Sequence, residues 1–156
     1  MIKILFLCLG NICRSPMAEA VFRNLVQRDG LEEKIEIDSA GIGKWHEGNV
    51  PHQGTRDLLD KLSVSYVGIR ARQIQKKDLV DFDYIIAMDD NNINDLKQLH
   101  QVSDQVTVAK LMDFVDEPSE RNVPDPYYTN NFDYTYQLVS EGCENLFKHV
   151  KRTHNL

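Results

Sequence analysis

The order of apolar runs and turn residues predicts an α/β fold: a three-layer sandwich, with a four-stranded parallel sheet covered by helices on both faces. Three observations predict it. Ile2 to Leu7 is a short unbroken apolar run, the pattern of a central strand buried on both sides. Asp29-Gly30 punctuates a run whose apolar residues recur at helical spacing. Strand-like and helix-like segments then alternate to the end of the chain, which calls for right-handed crossovers.

Each element has a local reason. After the first strand, Pro16 suits the first position of a helix, with Glu19 in its first turn. Met17, Val21 and Leu25, with Ala18, Phe22 and Val26, form the buried stripe. Ile35-Glu36-Ile37 reads as a second strand, ended by Gly41 and Gly43. A helix over Thr55 to Leu62 places Leu58, Leu59 and Leu62 on one side. Tyr84 to Met88 is the third strand, followed by the cap-rich Asp89-Asp90-Asn91-Asn92 and a helix with Ile93, Leu96 and Leu99. Val106-Thr107-Val108 is the fourth strand. Phe132, Tyr136, Val139, Cys143, Leu146 and Val150 make the apolar stripe of a long last helix.

The 156 residues, with no linker, repeat or low-complexity tract, are expected to form one domain over 1–156. At 42% hydrophobic and 27% charged, the composition excludes a disordered chain. A formal net charge of −6 argues against nucleic acid or an anionic membrane as partner. No apolar stretch approaches the roughly 18 residues of a membrane span. The start of the chain caricatures a signal peptide, but Asn11 and Arg14 interrupt it, and a cytoplasmic location is expected. Three cysteines cannot pair off completely, which fits a reducing compartment. The five histidines lack ligand spacing with one another or with the cysteines, so neither metal nor cofactor is expected. A monomer is the default expectation.

In an open parallel sheet, ligands bind beyond the carboxyl ends of the strands. The segment there is Cys8-Leu9-Gly10-Asn11-Ile12-Cys13-Arg14-Ser15. Five residues between Cys8 and Arg14 can curl so that backbone N–H groups point inward, and Gly10 and Asn11 tolerate the left-handed conformations a curl requires. Such a nest binds an anion, helped by the positive end of the following helix. Arg14 adds a planar fork of donors for two phosphoryl oxygens. Cys8 sits at the bottom, where a helix N-terminus and a cation favour the thiolate and Ser15 can donate to it. A thiolate beneath a bound phosphate is placed for in-line attack on phosphorus.

The C-x5-R-S spacing between strand and helix is the signature of cysteine-dependent phosphatases. As Cys-Leu-Gly-Asn-Ile-Cys-Arg-Ser-Pro-Met-Ala-Glu-Ala near the start of the chain, it resembles the low-molecular-weight protein tyrosine phosphatase family. Asp38-Ser39-Ala40-Gly41, Trp45-His46, Ala71-Arg72-Gln73, Asp83-Tyr84, Met88-Asp89 with Asn92, and Asp125-Pro126-Tyr127-Tyr128 resemble further family landmarks, in family order. With the resemblance goes a flavodoxin-like sheet of order 2-1-3-4. It implies a phosphotyrosine-containing protein substrate and a cysteinyl-phosphate intermediate. Cys8 is the implied nucleophile, Arg14 the transition-state clamp, and Asp125 the acid that protonates the leaving oxygen and later activates water. Leu9, Gly10, Asn11, Ile12, Cys13 and Ser15 are expected around the phosphate, with Trp45, Tyr127 and Tyr128 walling an aromatic slot. Asn11, Ser39, Asp89 and Asn92 are expected to support the loops, and Asp89 to cap a helix. Cys13 either packs or, as in the family, forms a protective disulfide with Cys8.

One position departs from the family. Where members often carry a His that supports the phosphate loop through Asn11, this chain has Ile69. Other readings are weaker. Thioredoxin-coupled arsenate reductases share the loop, but no cysteine lies between Cys13 and Cys143 to build their relay. Protein-arginine phosphatases of the same family tend to have Thr where this loop has Ile12. A module that only binds phosphotyrosine needs neither nucleophile nor acid.

Overall fold

The computed structural model describes residues 1–156. Its four strands are β1 (Ile2–Cys8), β2 (Ile35–Gly41), β3 (Tyr84–Ala87) and β4 (Thr107–Lys110), all parallel, in the order β2-β1-β3-β4. The helices are α1 (Arg14–Arg28), α2 (Gln53–Lys61), α3 (Asp78–Asp81), α4 (Asp90–Leu99), α5 (Pro126–Thr129) and α6 (Phe132–His154), with a 3-10 turn at Leu111–Phe114. The expected architecture and strand order are both present.

Side-chain alternation along β1 divides the core in two. Ile4, Phe6 and Cys8 join α1, α2 and α6 in the larger cluster, while Leu5 and Leu7 pack with Leu79 and Leu96 of α3 and α4 on the other face. This is why β1 reads as continuous apolar sequence. Phe22 of α1 stacks edge-on with Phe6 and with Phe147 of α6, each at 5.6 Å, so it joins sheet to helices at the centre.

Several boundaries shift from expectation. Helix α1 begins at Arg14, which places Pro16 third; no N–H in the first helical turn has an intrahelical acceptor, so proline fits there equally well. Glu19 therefore lies beyond the first turn, on the buried face. Leu62 caps α2 and is 41% exposed, and Leu99 at the end of α4 is 52% exposed, so neither joins the core. Strand β4 starts one residue later than expected and runs to Lys110; pairing with β3 alone, it shows no alternating pattern to mark its ends.

Every loop that leaves the carboxyl end of β1, β2 or β3 gathers on one edge of the sheet. Gly41 is the close contact there: a Cβ on it would lie 3.0 Å from the Leu9 carbonyl oxygen and the Gly10 carbonyl carbon. The bend from Cys8 to Arg14 thus lies directly against the end of β2.

Candidate active site

Cys8 is the last residue of β1 and is almost fully buried. Cys13 is the N-cap of α1 and supplies no side-chain cap, so the first amides of a 15-residue helix remain open to a ligand. Between them the chain turns at Asn11, whose φ of 57° is left-handed; Gly10 is not needed in that conformation. Glycine at position 10 serves packing instead, since a Cβ would meet His46 Cδ2 at 3.2 Å. Gly10, Ile12 and Cys13 donate no N–H to another backbone carbonyl. The Asn11 N–H donates to Cys8 Sγ at 3.3 Å.

The Asn11 side chain holds the bend together. Its Nδ2 donates to Ser15 Oγ at 2.7 Å and to Ser39 Oγ at 3.0 Å, and its Oδ1 accepts from the Arg72 N–H at 3.0 Å. Because Ser15 Oγ accepts from Asn11, its own proton is free for Cys8 Sγ, 2.9 Å away. Two donors therefore face the sulfur and would stabilise negative charge on it. Arg72 is fixed in turn by Asp38 and Asp78 through four hydrogen bonds of 2.9 to 3.2 Å. Ile69 is buried in the larger core cluster, and Asn11 is saturated by Ser15, Ser39 and Arg72 without a histidine there.

Glu19 completes this support, and sequence reasoning missed it. Ser39 Oγ donates to Glu19 Oε1 at 2.6 Å, which leaves the serine oxygen to accept from Asn11. Burial pushes the Glu19 carboxyl up to about 7, although the Ser39 hydrogen bond pulls the other way. The signal was its position: four residues after Ser15, Glu19 shares that residue's helical face. The raised value carries a stability consequence. Glu19 keeps its proton in the folded state where the unfolded chain loses it, so its contribution is complete below about pH 4.5 and vanishes as pH rises through about 7. Glu19→Gln, which retains the acceptor but cannot ionise, should flatten this decline. Urea denaturation at pH 5 and pH 8 should show the variant gaining up to about 3 kcal/mol on the wild type over that interval.

Arg14 is only 2% exposed. Nη1 donates to Asp89 Oδ2 at 2.6 Å and to the Val123 carbonyl at 2.9 Å, and Nη2 reaches Asp125 Oδ2 at 3.3 Å. Burial opposes its charge, but Cys8, Asp89 and Asp125 outweigh burial and raise its affinity for the proton. Nε is buried with no partner, an open donor of the kind an oxyanion would satisfy. Asp89 also caps α4 in a reciprocal box with Asn92, so it serves as both helix cap and arginine anchor.

Asp125 stands across the opening. Its Oδ1 accepts the Tyr127 N–H at 3.0 Å as the N-cap of α5, and Pro126 starts that short helix. Cys8, Leu9, Gly10, Ile12, Cys13, Trp45, His46, Asp125, Tyr127 and Tyr128 line a cleft of about 340 Å³. Trp45, Tyr127 and Tyr128 are largely exposed and form its aromatic rim. Trp45 owes its pose to Gly43, where a Cβ would fall within 2.4 Å of three indole carbons. His46, which spacing had set aside only as a metal ligand, lines the wall 6.5 Å from the Tyr127 ring. Asn11, Ser15, Ser39, Asp89 and Asn92 do not line the cleft and lie behind it as supports; Arg14 also lies behind the lining, with Nε as its open donor.

The three cysteines are free thiols. Cys13 lies in the cleft beside Cys8, and burial, with the negative charges of Asp125 and Cys8, pushes its thiol up to about 12. Cys143 is buried in the core, where burial raises its thiol strongly.

A strand-to-helix bend with a buried cysteine at its floor, an arginine at the helix start and a carboxyl at the mouth defines the class of cysteine-dependent phosphatases. Comparison with known proteins narrows it. The sequence model described as low molecular weight phosphotyrosine protein phosphatase matches residues 3–156, and the chain belongs to that family. It is 50% identical over 156 residues to the low molecular weight protein-tyrosine-phosphatase YfkJ of Bacillus subtilis, covering 100% of both chains. Against the PtpA protein of that description from Staphylococcus epidermidis, identity is 43% over 156 residues, covering 100% of this chain and 98% of the relative. The crystal structure of Bacillus subtilis YfkJ superposes with a TM-score of 0.95, covering 98% of this chain and 96% of that one. A Drosophila arginine phosphatase structure superposes at 0.88 with 32% identity, covering 96% of this chain and 98% of that one.

Proposed function

We propose that this protein is a protein tyrosine phosphatase that hydrolyses phosphotyrosine in protein substrates through a cysteinyl-phosphate on Cys8. The observation that carries the reading is the placement of Cys8 and Asp125 at the floor and mouth of one aromatic-rimmed cleft. The Cys8 sulfur attacks phosphorus in line, forming S–P as the P–O bond to the tyrosine oxygen breaks. Asp125 gives its proton to that oxygen, so a neutral phenol leaves. Asp125, now a carboxylate, then takes a proton from water as the water attacks the phosphocysteine, and the thiolate and inorganic phosphate are regenerated. Arg14 Nε and the free amides of the bend meet the equatorial oxygens throughout. For Arg14 Nη2 to join them, its 3.3 Å contact with Asp125 gives way when phosphate enters, and the freed Asp125 carboxylate takes up a proton from solvent before it protonates the leaving oxygen.

One domain carries this activity, and the cytoplasm, which keeps Cys8 reduced, is its expected location. No helix is long and apolar enough to cross a membrane. A monomer is the default expectation for the acting form, and the net charge of −6 disfavours nucleic acid and anionic membranes as partners.

A second reading within the family is protein-arginine phosphatase, since an arginine phosphatase shares the fold. The apolar Ile12 lines the cleft where such members tend to have Thr, and an aromatic ring suits it better than a guanidinium. Initial rates on matched phosphotyrosine, phosphoserine and phosphoarginine peptides, in reducing buffer with a chelator, test the choice. Phosphotyrosine should be cleaved at least about 100-fold faster than phosphoserine, whose alkoxide is a poorer leaving group in a deeper slot. Faster turnover of the phosphoarginine peptide would move the assignment to the second reading, and phosphate binding without turnover would leave a binding module.

A further inference from the structure

The arm that carries Asp125 is not held by its own helix alone. Helix α5 has four residues, too short to stand unaided. The arm is instead tied down at Asn122, where its side chain meets one from β4 and one from α4. Lys110, the last residue of β4, is 9% exposed, and its Nζ lies 2.9 Å from Asp90 Oδ1 and 3.2 Å from Asn122 Oδ1. The Asp90 N–H donates to Asn122 Oδ1 at 3.0 Å, and Asn122 Nδ2 returns to Asp90 Oδ2 at 3.4 Å. The next residue is pinned on both sides: the Val123 N–H donates to the Met88 carbonyl at 2.9 Å, and its carbonyl accepts from Arg14.

The cluster therefore ties the arm to the same β3–α4 turn that supplies Asp89 to Arg14. Lys110 is largely buried while the Asp90 side chain is 64% exposed, and both partners of the ammonium belong to this junction. Asp90 is held below the usual carboxylate range, first by the hydrogen bond from Lys110 and then by that from Asn122. None of the three side chains lines the cleft. Their effect on the acid passes through Val123 and Pro124, the two residues between Asn122 and Asp125, of which Pro124 has a fixed φ.

We infer that Lys110, Asp90 and Asn122 are positioning residues for the general acid, setting where Asp125 stands over the leaving oxygen. The inference rests on the phosphatase reading and on Asp125 as acid. A misplaced acid slows the reaction in proportion to the need for protonation, whereas general loosening slows all substrates alike.

The test is a leaving-group series of aryl phosphates, from nitrophenyl to unsubstituted and alkyl-substituted phenyl, with single-turnover rates for wild type, Asn122→Ala, Lys110→Met, Asp125→Asn and the Asn122→Ala/Asp125→Asn double variant. Asn122 lies on a loop, so its variant keeps the test open if Lys110→Met fails to fold. Asn122→Ala should lower the phenyl rate about 10-fold more than the nitrophenyl rate, steepening the dependence on leaving-group pKa. In the Asp125→Asn background it should add nothing. Equal loss across the series, or additive loss in the double variant, would overturn the inference. If Asp125→Asn itself left the dependence unchanged, the acid assignment would fail, and that outcome is distinct from failure of Asn122→Ala alone.

Discussion

Cys8→Ser should lower turnover of a phosphotyrosine peptide by about 10⁴-fold or more while leaving the fold intact. The exchange is nearly isosteric at a buried position, so packing of β1 against α1 changes little. What changes is the nucleophile. The Ser15 hydroxyl and Asn11 amide that face the sulfur can stabilise a thiolate, but a serine hydroxyl holds its proton at neutral pH and is a far weaker nucleophile. Anion binding should survive, because Arg14 Nε and the open amides remain. Calorimetric titration with inorganic phosphate should therefore give comparable affinity in both proteins, while product release disappears in the variant. Cys13→Ser is the matched control. Cys13 stays a neutral thiol, since burial pushes it up to about 12, and its replacement should cost far less activity. Retention of substantial turnover by Cys8→Ser, or equal loss on replacing Cys13, would rule out the covalent mechanism.

Most of the site was legible because its chemistry is local. Seven residues from Cys8 to Arg14 contain the proposed nucleophile, the bend and the arginine, and the apolar run before them marks the buried strand. Asp125-Pro126 and the capping run at Asp89 to Asn92 announce themselves in the same way, through residue types whose local geometry is restricted. What escaped notice depends on contacts distant in sequence. Glu19 reads as an exposed residue until Ser39, twenty positions away, is seen to donate to it. Lys110 and Asn122 look like ordinary surface residues, and only the order β1-β3-β4 brings them to Asp90. The short helices α3 and α5 and the 3-10 turn were missed because four residues carry no periodicity to read. Ile69 shows the reverse case. Its substitution for a histidine implied a weakened loop, yet Asn11 has every donor and acceptor of its side chain matched by Ser15, Ser39 and Arg72.

Asp125→Ala should slow release from phosphotyrosine by about 10²- to 10⁴-fold, the usual contribution of a positioned general acid. The loss should be smallest for nitrophenyl phosphate, whose phenolate departs without help, and grow with the basicity of the leaving group. Binding should move the other way. In the resting site the Asp125 carboxylate holds Arg14 Nη2 at 3.3 Å and places negative charge where the phosphate must enter. Removing it frees that donor and lifts the repulsion, so the variant should bind phosphotyrosine peptide more tightly even as it turns over slowly. The N-cap of α5 is lost too, since Asp125 Oδ1 accepts from Tyr127, and about 1 kcal/mol of local stability goes with it. Asp125→Asn separates these effects: it keeps an oxygen for the cap but has no acidic proton to give. Both variants should therefore share the steep leaving-group dependence, while Asp125→Ala alone should show the frayed Tyr127–Tyr128 rim, read as faster amide exchange there. A flat leaving-group dependence in both would assign protonation to some other group, and His46, the other titratable side chain on the cleft wall that is neither cysteine nor tyrosine, would be the residue to replace next.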